Sequence, residues 1–398
     1  MAEFNTETET LAEAVRTNLF APAQEMSTLG RKGLPMLKGG EGIYVIDSEG
    51  RRLIDGPAGM WCTQIGYGRR EIADALADQS MHLSYNSPWY TSNSPAAKLA
   101  ARIAEMTPGD LTRIFFTTGG STAVDTALRF TEFYNNILGR PQKKKIVVRM
   151  DGYHGSTSLT AACSGRTGNW PPTGYHARFK AVCEANDIIY ISDEVVTGFG
   201  RCGEWFASEK VFGVVPDIIT FAKGVTSGYV PLGGLAISEK LLDRVSGENA
   251  KGGSFTNGYT YSGHPVSCAA ALANIEVIER DGILAHVNEV SVHFAAALKA
   301  LEDLPGVADI RSKGLVGCVE CMVDPGRSEV TDADKALGLR IDEICFSLGL
   351  IVRPIGNMCV LSPPLIITRQ EIDSMCEILR EGILRAGEEK GAAQRSAA

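Results

Sequence analysis

In "PDIITFAKGVTSGYVPLGGLAIS", residues 216–238, Ile218, Ile219, Thr220 and Phe221 read as a buried strand, and Lys223 follows between Ala222 and Gly224, where solvent is scarce. Removing an amine from water pushes it toward its neutral, nucleophilic form, so a lysine placed there suits covalent or proton-transfer chemistry. In "IIYISDEVVTGFGR" Asp193 closes a second apolar run. A carboxylate is costly in such a place unless it meets a cationic partner, although it can also cap the following turn. In "FFTTGGSTAVDTALRF" Gly119, Gly120 and Ser121 stand between a strand and an amphipathic helix. Free backbone N–H groups and the helix dipole would face an anion there; a tight turn with Ser121 as N-cap accounts for the same residues equally well.

Stepping along the chain, each of these groups falls at the end of an apolar run. "TRIFFTT", "KKIVVRM", "DIIYISDE" and "DIITFAK" each give way to a Gly-rich or polar turn. That alternation predicts an α/β fold with a mostly parallel sheet, whose ligands collect at the carboxyl ends of the strands. Residues 41–55 read as a β-hairpin turning at "DSEG", and residues 305–365 as strands around one helix, "DADKALGLRIDEICFSLGL". A long helical stretch starts near Pro265 and runs through "HPVSCAAALANIEVIERDGILAHVNEVSVHFAAALKALEDL", and the tail "GEEKGAAQRSAA" is expected to fray. The predicted division is a smaller domain from 1–65 and 306–398 around a large domain at 66–305.

Composition narrows the function. The chain has 398 residues, 44% hydrophobic and 22% charged, enough for more than one core. Its 39 basic and 47 acidic residues leave a net charge of -8 with no long like-charged block, which argues against nucleic acid as a partner. The acidic start "MAEFNTETETLAEAVRTNLFAP" lacks the regions of a secretory signal, and no run of eighteen apolar residues follows, so a cytoplasmic protein with no membrane partner is expected. Ten cysteines are spread through the chain. Only Cys318 and Cys321 have metal-like spacing, without a second pair or nearby histidines, so no metal is expected. Neither Gly-x-Gly-x-x-Gly nor Gly-Lys-Ser occurs at the glycine turn, which disfavours a nicotinamide oxidoreductase or a P-loop enzyme.

One cofactor uses an anion turn, an acid and an amine in this order. Pyridoxal 5'-phosphate forms a Schiff base with lysine, needs an acid on its ring nitrogen and carries a phosphate. The segments "DEVVTGFGR", "FAKGVTSGYVPLGG" and "GYTYSGHPVSCAAALANI" together resemble the class III, or omega, aminotransferases of PLP fold type I, over most of the chain. The resemblance implies that Lys223 bonds the cofactor and shuttles the proton, and that Asp193 protonates the ring nitrogen. It implies that Val195 and Tyr153, the latter in "DGYHGST" beside His154, take the two faces of the ring. Thr260 matches a threonine that reaches the phosphate from the neighbouring subunit, which implies a homodimer or higher homo-oligomer. Trp61, with Phe20 and Trp89, would wall the substrate pocket, and Arg353 would grip a carboxylate.

The implied reaction is ping-pong transamination from an ω-amine or amino acid donor to a keto acid such as pyruvate. Two departures qualify the match. Gly119, Gly120, Ser121 and Thr122 replace the family's usual Ser-Gly-Ser-Glu, which removes a hydroxyl and leaves the backbone donors. Between "SGRTGNWP" and "PTGYHARFK" the family carries several tens more residues, including a core strand, whereas here Trp170 and Pro171 run straight into Pro172. A catalytically impaired form that only dimerises or binds cofactor, and another reaction on the same scaffold such as an aminomutase or decarboxylase, are the alternatives.

Overall fold

The computed structural model describes residues 2–20, 22, 34–149, 152–164, 175–327 and 329–397. After α1 (Ala2–Asn18) come β1 (Leu37–Glu41), β2 (Tyr44–Asp47) and β3 (Arg52–Asp55), each antiparallel to the next. β2 and β3 are the hairpin expected at 41–55; the Asp47 carboxylate closes its turn by accepting from the N–H groups of Glu49 at 3.0 Å and Arg51 at 2.8 Å. The short α2 (Ala58–Trp61) and the amphipathic α3 (Arg70–His82) and α4 (Ser94–Met106) follow, with Asn93 capping α4 through Ala96 N–H at 2.8 Å.

The central sheet contains β4 (Arg113–Thr117), β5 (Ile191–Asp193), β6 (Ile218–Phe221) and β7 (Gly233–Ile237) in the order β4-β7-β6-β5. β4, β5 and β6 run one way and β7 is the antiparallel exception. Between β4 and β5 lie α5 (Gly120–Ile137), α6 (Ser158–Ala162) and α7 (Tyr175–Ala185). β6 is buried on both faces, which its unbroken apolar run foreshadows. Ile218 packs with Ala127 and Phe130 of α5, while its neighbour Ile219 faces Leu99 and Ile103 of α4 on the other side. Phe199, Phe206 and Phe221 close the second face edge to face, with centroids 5.5 to 6.3 Å apart.

α8 (Glu239–Asp243) leads to α9 (Pro265–Arg280) and α10 (Ile283–Lys299). The single helix expected from Pro265 is therefore two: Gly282 adopts φ +63, a left-handed conformation that glycine takes without a Cβ penalty, and breaks the helix there. The rest of the chain forms β8 (Val307–Lys313), β9 (Val316–Cys321), α11 (Asp332–Leu348), β10 (Leu350–Ile351), β11 (Arg353–Ile355), β12 (Met358–Leu361) and α12 (Arg369–Ala397). β10 adds in parallel to β3, so early and late residues share a sheet. The order β11-β12-β9-β8 makes another. The largest apolar cluster gathers Ile43 and Ile54 with residues of α9, α10, α11 and α12.

Two further expectations differ from the structure. "KKIVVRM" forms no strand among its described residues, and Ile146, Val147 and Val148 are 42%, 66% and 41% exposed. A β-prone run becomes a strand only where a neighbour supplies backbone partners, and none of the described strands pairs with it. The tail is helical: α12 continues to Ala397, as its Ala, Glu, Lys and Gln content favours, and Arg340 of α11 ties it through Glu389 at 2.7 Å. Cys318 and Cys321 stand three apart on β9 and so point to opposite faces. The junction at Pro171 and Pro172 lies outside the described residues, and among those described β5 pairs with β6 alone. No described helix is long and apolar enough to cross a membrane.

Asp334 is fully buried at the start of α11 and accepts from Val323 N–H and Thr331 N–H, both at 2.7 Å, and from Thr331 Oγ1 at 2.5 Å. Burial alone would raise its pKa, but the bonds from Thr331 and Val323, with Arg327 nearby, outweigh it and hold the group down at about 2. A depressed carboxylate stabilises the fold above its unfolded pKa, and that contribution is lost as pH falls toward 2. Asp334→Asn is predicted to cost about 1–2 kcal/mol at pH 7 in urea unfolding, with the deficit narrowing steadily below pH 4.

Candidate active site

The carboxyl ends of β4, β5 and β6 deliver the groups singled out by the sequence. Beyond β6 the chain enters a 3-10 turn, Lys223–Thr226, with Lys223 itself at φ +46. Trp61, at the end of α2, is also left-handed at φ +62. Two bulky residues in this sparsely populated region mark stored backbone strain, which persists only where surrounding contacts enforce it. Lys223 Nζ lies 4.9 Å from the centre of the Trp61 ring, and the Arg353 guanidinium carbon lies 5.9 Å from the same ring. Burial pushes the Lys223 amine below its ordinary pKa; Asp193 and Cys62 oppose that shift and the Arg353 charge reinforces it. Trp61 Nε1 and Arg353 Nε are both buried without a hydrogen-bond partner among the described residues, so two donors of this group stand unused there.

Asp193 ends β5 beside Thr220 of β6. Its Oδ2 lies 2.7 Å from His154 Nδ1, and its Oδ1 accepts from Val195 N–H at 3.2 Å and Thr220 Oγ1 at 3.3 Å. His154 is itself tied down by its backbone N–H, which donates to Ser164 Oγ at 2.9 Å. The sequence offered His154 and Asp193 separately; the fold couples them.

The glycine turn opens α5, an 18-residue helix. Nothing lies within 4 Å of the position a Cβ would take at Gly119, whereas one at Gly120 would stand 2.9 Å from Val195 Cγ1. The turn is therefore open on its outer side and lined by Val195 on its inner side. Thr122 Oγ1 donates to Gly119 O at 2.8 Å and so closes the turn. Ser121 Oγ accepts from Ser156 N–H at 3.0 Å, which the φ of +134 at Gly155 permits. That bond brings the Tyr153 loop over the turn, with Tyr153 half-exposed and its hydroxyl 2.8 Å from Ser156 Oγ.

Gly119, Gly120, Ser121, Tyr153, His154, Asp193 and Val195 thus form one contiguous group, and Lys223, Trp61 and Arg353 adjoin it through Asp193. The remaining predicted residues lie elsewhere in this chain. Phe20 is two-thirds exposed beyond α1. The Trp89 ring stands 3.2 Å from where Gly258 would carry a Cβ and lines a cavity of about 270 Å³ with Asn93 and Phe116. The backbone oxygen of Thr260 accepts from Tyr85 Oη at 3.1 Å.

Sequence reading missed the residues beneath Lys223. Gln64 packs under Gly224, where a Cβ would be 2.3 Å from Gln64 Nε2. Arg201, fully buried, donates to Leu315 O at 3.0 Å, Pro363 O at 2.5 Å and Gln64 Oε1 at 3.4 Å, and burial lowers its pKa to about 10. Asn274 of α9 bonds the turn itself. Its signal was present as one amide on a helix face otherwise made of Ala270, Ala271, Val277 and Ile278.

The residues present fit a cofactor with a phosphate, a ring and an aldehyde: an open glycine turn at a helix N-terminus, an oriented carboxylate, and a desolvated amine. Comparison with known proteins points the same way. A profile of the class-III aminotransferases matches residues 30–170 and 164–383, the two stretches meeting where the family's extra residues were expected. Putrescine–pyruvate aminotransferase of Pseudomonas aeruginosa is 32% identical, covering 92% of this chain and 94% of its own. That alignment spans 434 positions against 398 residues in the chain, so the relative carries residues this chain lacks. An (S)-enantioselective omega-transaminase from Thermomicrobium roseum superposes with a TM-score of 0.87 at 32% identity, over 96% of this chain and 98% of that one. The PMP-bound form of an aminotransferase from Vibrio fluvialis gives 0.88 at 26% identity, over 94% and 97%.

The depressed Lys223 amine carries a sign that can be checked. Below pH 10.5 the unfolded chain holds that proton more readily than the folded one, so the native amine opposes folding. Lys223→Met, similar in length and uncharged, is predicted to raise the urea midpoint of the cofactor-free protein at pH 7, with the gain vanishing as pH approaches 10.5.

Proposed function

Because the chain belongs to the class III aminotransferases, which move an amino group with pyridoxal phosphate, we propose that it passes the amino group of an ω-amine or amino acid to a keto acid such as pyruvate, in alternating half-reactions at Lys223. The observation that carries this reading is the desolvated Lys223 amine, held on the Trp61 ring with Arg353 beside it. The Pseudomonas relative, named for putrescine and pyruvate, supports the substrate class.

Pyridoxal phosphate, when bound, supplies an aldehyde carbon that takes up the amino group and a ring that draws off the electron pair of the broken C–H bond. Lys223 would hold it through its amine, and that amine is placed to take a proton from the donor carbon. Asp193, steadied by His154 and Thr220, keeps a proton on the ring nitrogen. Gly119, Gly120 and Ser121 would hold the phosphate with backbone N–H groups at the start of α5, and Tyr153 and Val195 would flank the ring. Trp61 and Phe20 wall the substrate. Arg353 grips the carboxylate of the keto acid through its planar fork and turns aside for a donor without one; its unpartnered Nε supports that role.

Thr260 and Trp89 act in the site of a second copy, so a homodimer is the smallest active unit. The exposure of Tyr85, Trp89, Tyr90 and Tyr261, at 42%, 59%, 91% and 59%, supports a face that another chain covers. The pairing of β3 with β10 supports a smaller domain built from 1–65 and 306–398 around a cofactor-binding domain at 66–305.

One observation favours a second reading, an impaired form that binds cofactor without turning over. Among the described residues Asp193 sits on a strand with a single neighbour, and the apolar residues 146–148 are exposed. The absorption spectrum of purified protein loaded with pyridoxal phosphate and mixed with putrescine separates the two. A donor-driven spectral change, restored by pyruvate, supports transamination, whereas retained cofactor with an unchanging spectrum supports the impaired form. Borohydride reduction and peptide mapping should find the cofactor on the Lys223 peptide; a label on any other lysine overturns the assignment. Arg353→Ala is expected to raise KM for pyruvate about 10- to 100-fold, leaving KM for a carboxylate-free amine within a few-fold in steady-state assays.

A further inference from the structure

The turn that carries Lys223 is held by more than its own backbone. Asn274, fully buried on α9, donates from Nδ2 to Gly224 O at 2.9 Å and Val225 O at 3.1 Å, and its Oδ1 accepts from Ser227 Oγ at 2.6 Å. Ser227 Oγ in turn accepts from Ile65 N–H at 3.3 Å, so a bonded chain runs from the Trp61–Ile65 segment through Ser227 to α9. The turn's backbone adds Val225 N–H to Ala222 O at 3.1 Å and Ser227 N–H to Gly224 O at 3.2 Å. Two left-handed residues, Lys223 at φ +46 and Ser227 at φ +47, bracket it. A non-glycine residue leaves that conformation unless something holds it.

We propose that Asn274 is a positioning residue for the reaction: by bonding the carbonyls of Gly224 and Val225 and the hydroxyl of Ser227, it locks the turn so that Lys223 keeps its left-handed backbone and its amine stays against Trp61. An amide is the side chain suited to the task, since it donates to two carbonyls and accepts from a hydroxyl at once. Apolar residues of the same volume leave two buried carbonyls without a donor, and a carboxylate repels them. Gln64 packs the opposite side of Gly224, so the turn is wedged between two amides, of which only Asn274 bonds it.

This inference rests on Lys223 being the reactive amine, and the test keeps the two apart. The cofactor-free protein is reductively methylated with labelled formaldehyde, and the Lys223 signal, identified by its loss in Lys223→Met, is followed against pH. The groups facing that amine are Asp193, Cys62 and Arg353, and all three stay in place in each variant. Lys223 titrating at its ordinary pKa in the wild-type protein refutes its role as the reactive amine. With a depressed wild-type value, Asn274→Leu is expected to bring the titration back toward the ordinary value, and Ser227→Ala to move it part of the way. In the loaded enzyme Asn274→Leu should lower kcat about 10- to 100-fold with KM within about three-fold, because misplacing a reacting group slows chemistry more than binding. An unchanged titration in a folded Asn274→Leu protein overturns the positioning role. Should that variant not fold, hydrogen exchange on the wild type decides. Protection of the Val225 and Ser227 amides comparable to β6 supports the lock, and loop-like exchange there overturns it.

Discussion

A cation kept out of water organises this molecule. The Lys223 amine stands on an indole face with one carboxylate near enough to oppose its neutralisation and a guanidinium near enough to promote it. No structural purpose is served by such a placement, because an apolar residue of equal length would fold more favourably. The cost is met by contacts around the turn: Gln64 below it, Asn274 across it, and the aromatic triad Phe199, Phe206 and Phe221 closing the strand that delivers it. Those contacts come from segments distant in sequence, and Arg201 links several of them by bonding Gln64 and the carbonyls of Leu315 and Pro363 together.

The sequence was most legible where one local cause decides the outcome. A run of four apolar residues followed by a lysine, a pair of glycines before an amphipathic helix, and an acid at a strand end each state their own purpose, and they stand together at the ends of β4, β5 and β6. The hairpin at 41–55 was equally readable because Asp47 closes its turn locally. Elements that depend on a partner were not. Ile146, Val147 and Val148 have every intrinsic preference of a strand and no edge among the described strands to join. The helix after Pro265 breaks at a single left-handed glycine that periodicity passes over. Asn274 was visible as a polar interruption of an apolar face, yet its partners lie some fifty residues upstream, beyond what a helical pattern can name.

Trp89 and Thr260 illustrate a third kind of limit. Both resemble site residues, and both sit in one region of the surface, Trp89 against Gly258 and Thr260 bonded to Tyr85. Sequence similarity transfers a residue's identity and not the chain whose pocket it serves. Geometry in a single copy separates the residues that meet at Lys223 from those that face outward, a distinction that spacing alone does not contain.

The position of Asp193 bears on how rigidity is shared in this sheet. β6 and β7 are each tethered by backbone ladders on two sides, and β5 on one among the described residues. Main-chain bonds therefore fix Lys223's strand, whereas the acid's carboxylate is aligned by an imidazole on one oxygen and by a hydroxyl and the Val195 N–H on the other. The two chemically active ends are thus stiffened by different means. An exchange at His154 alters the acid's aim and leaves the lysine's strand untouched, so the two can be retuned independently.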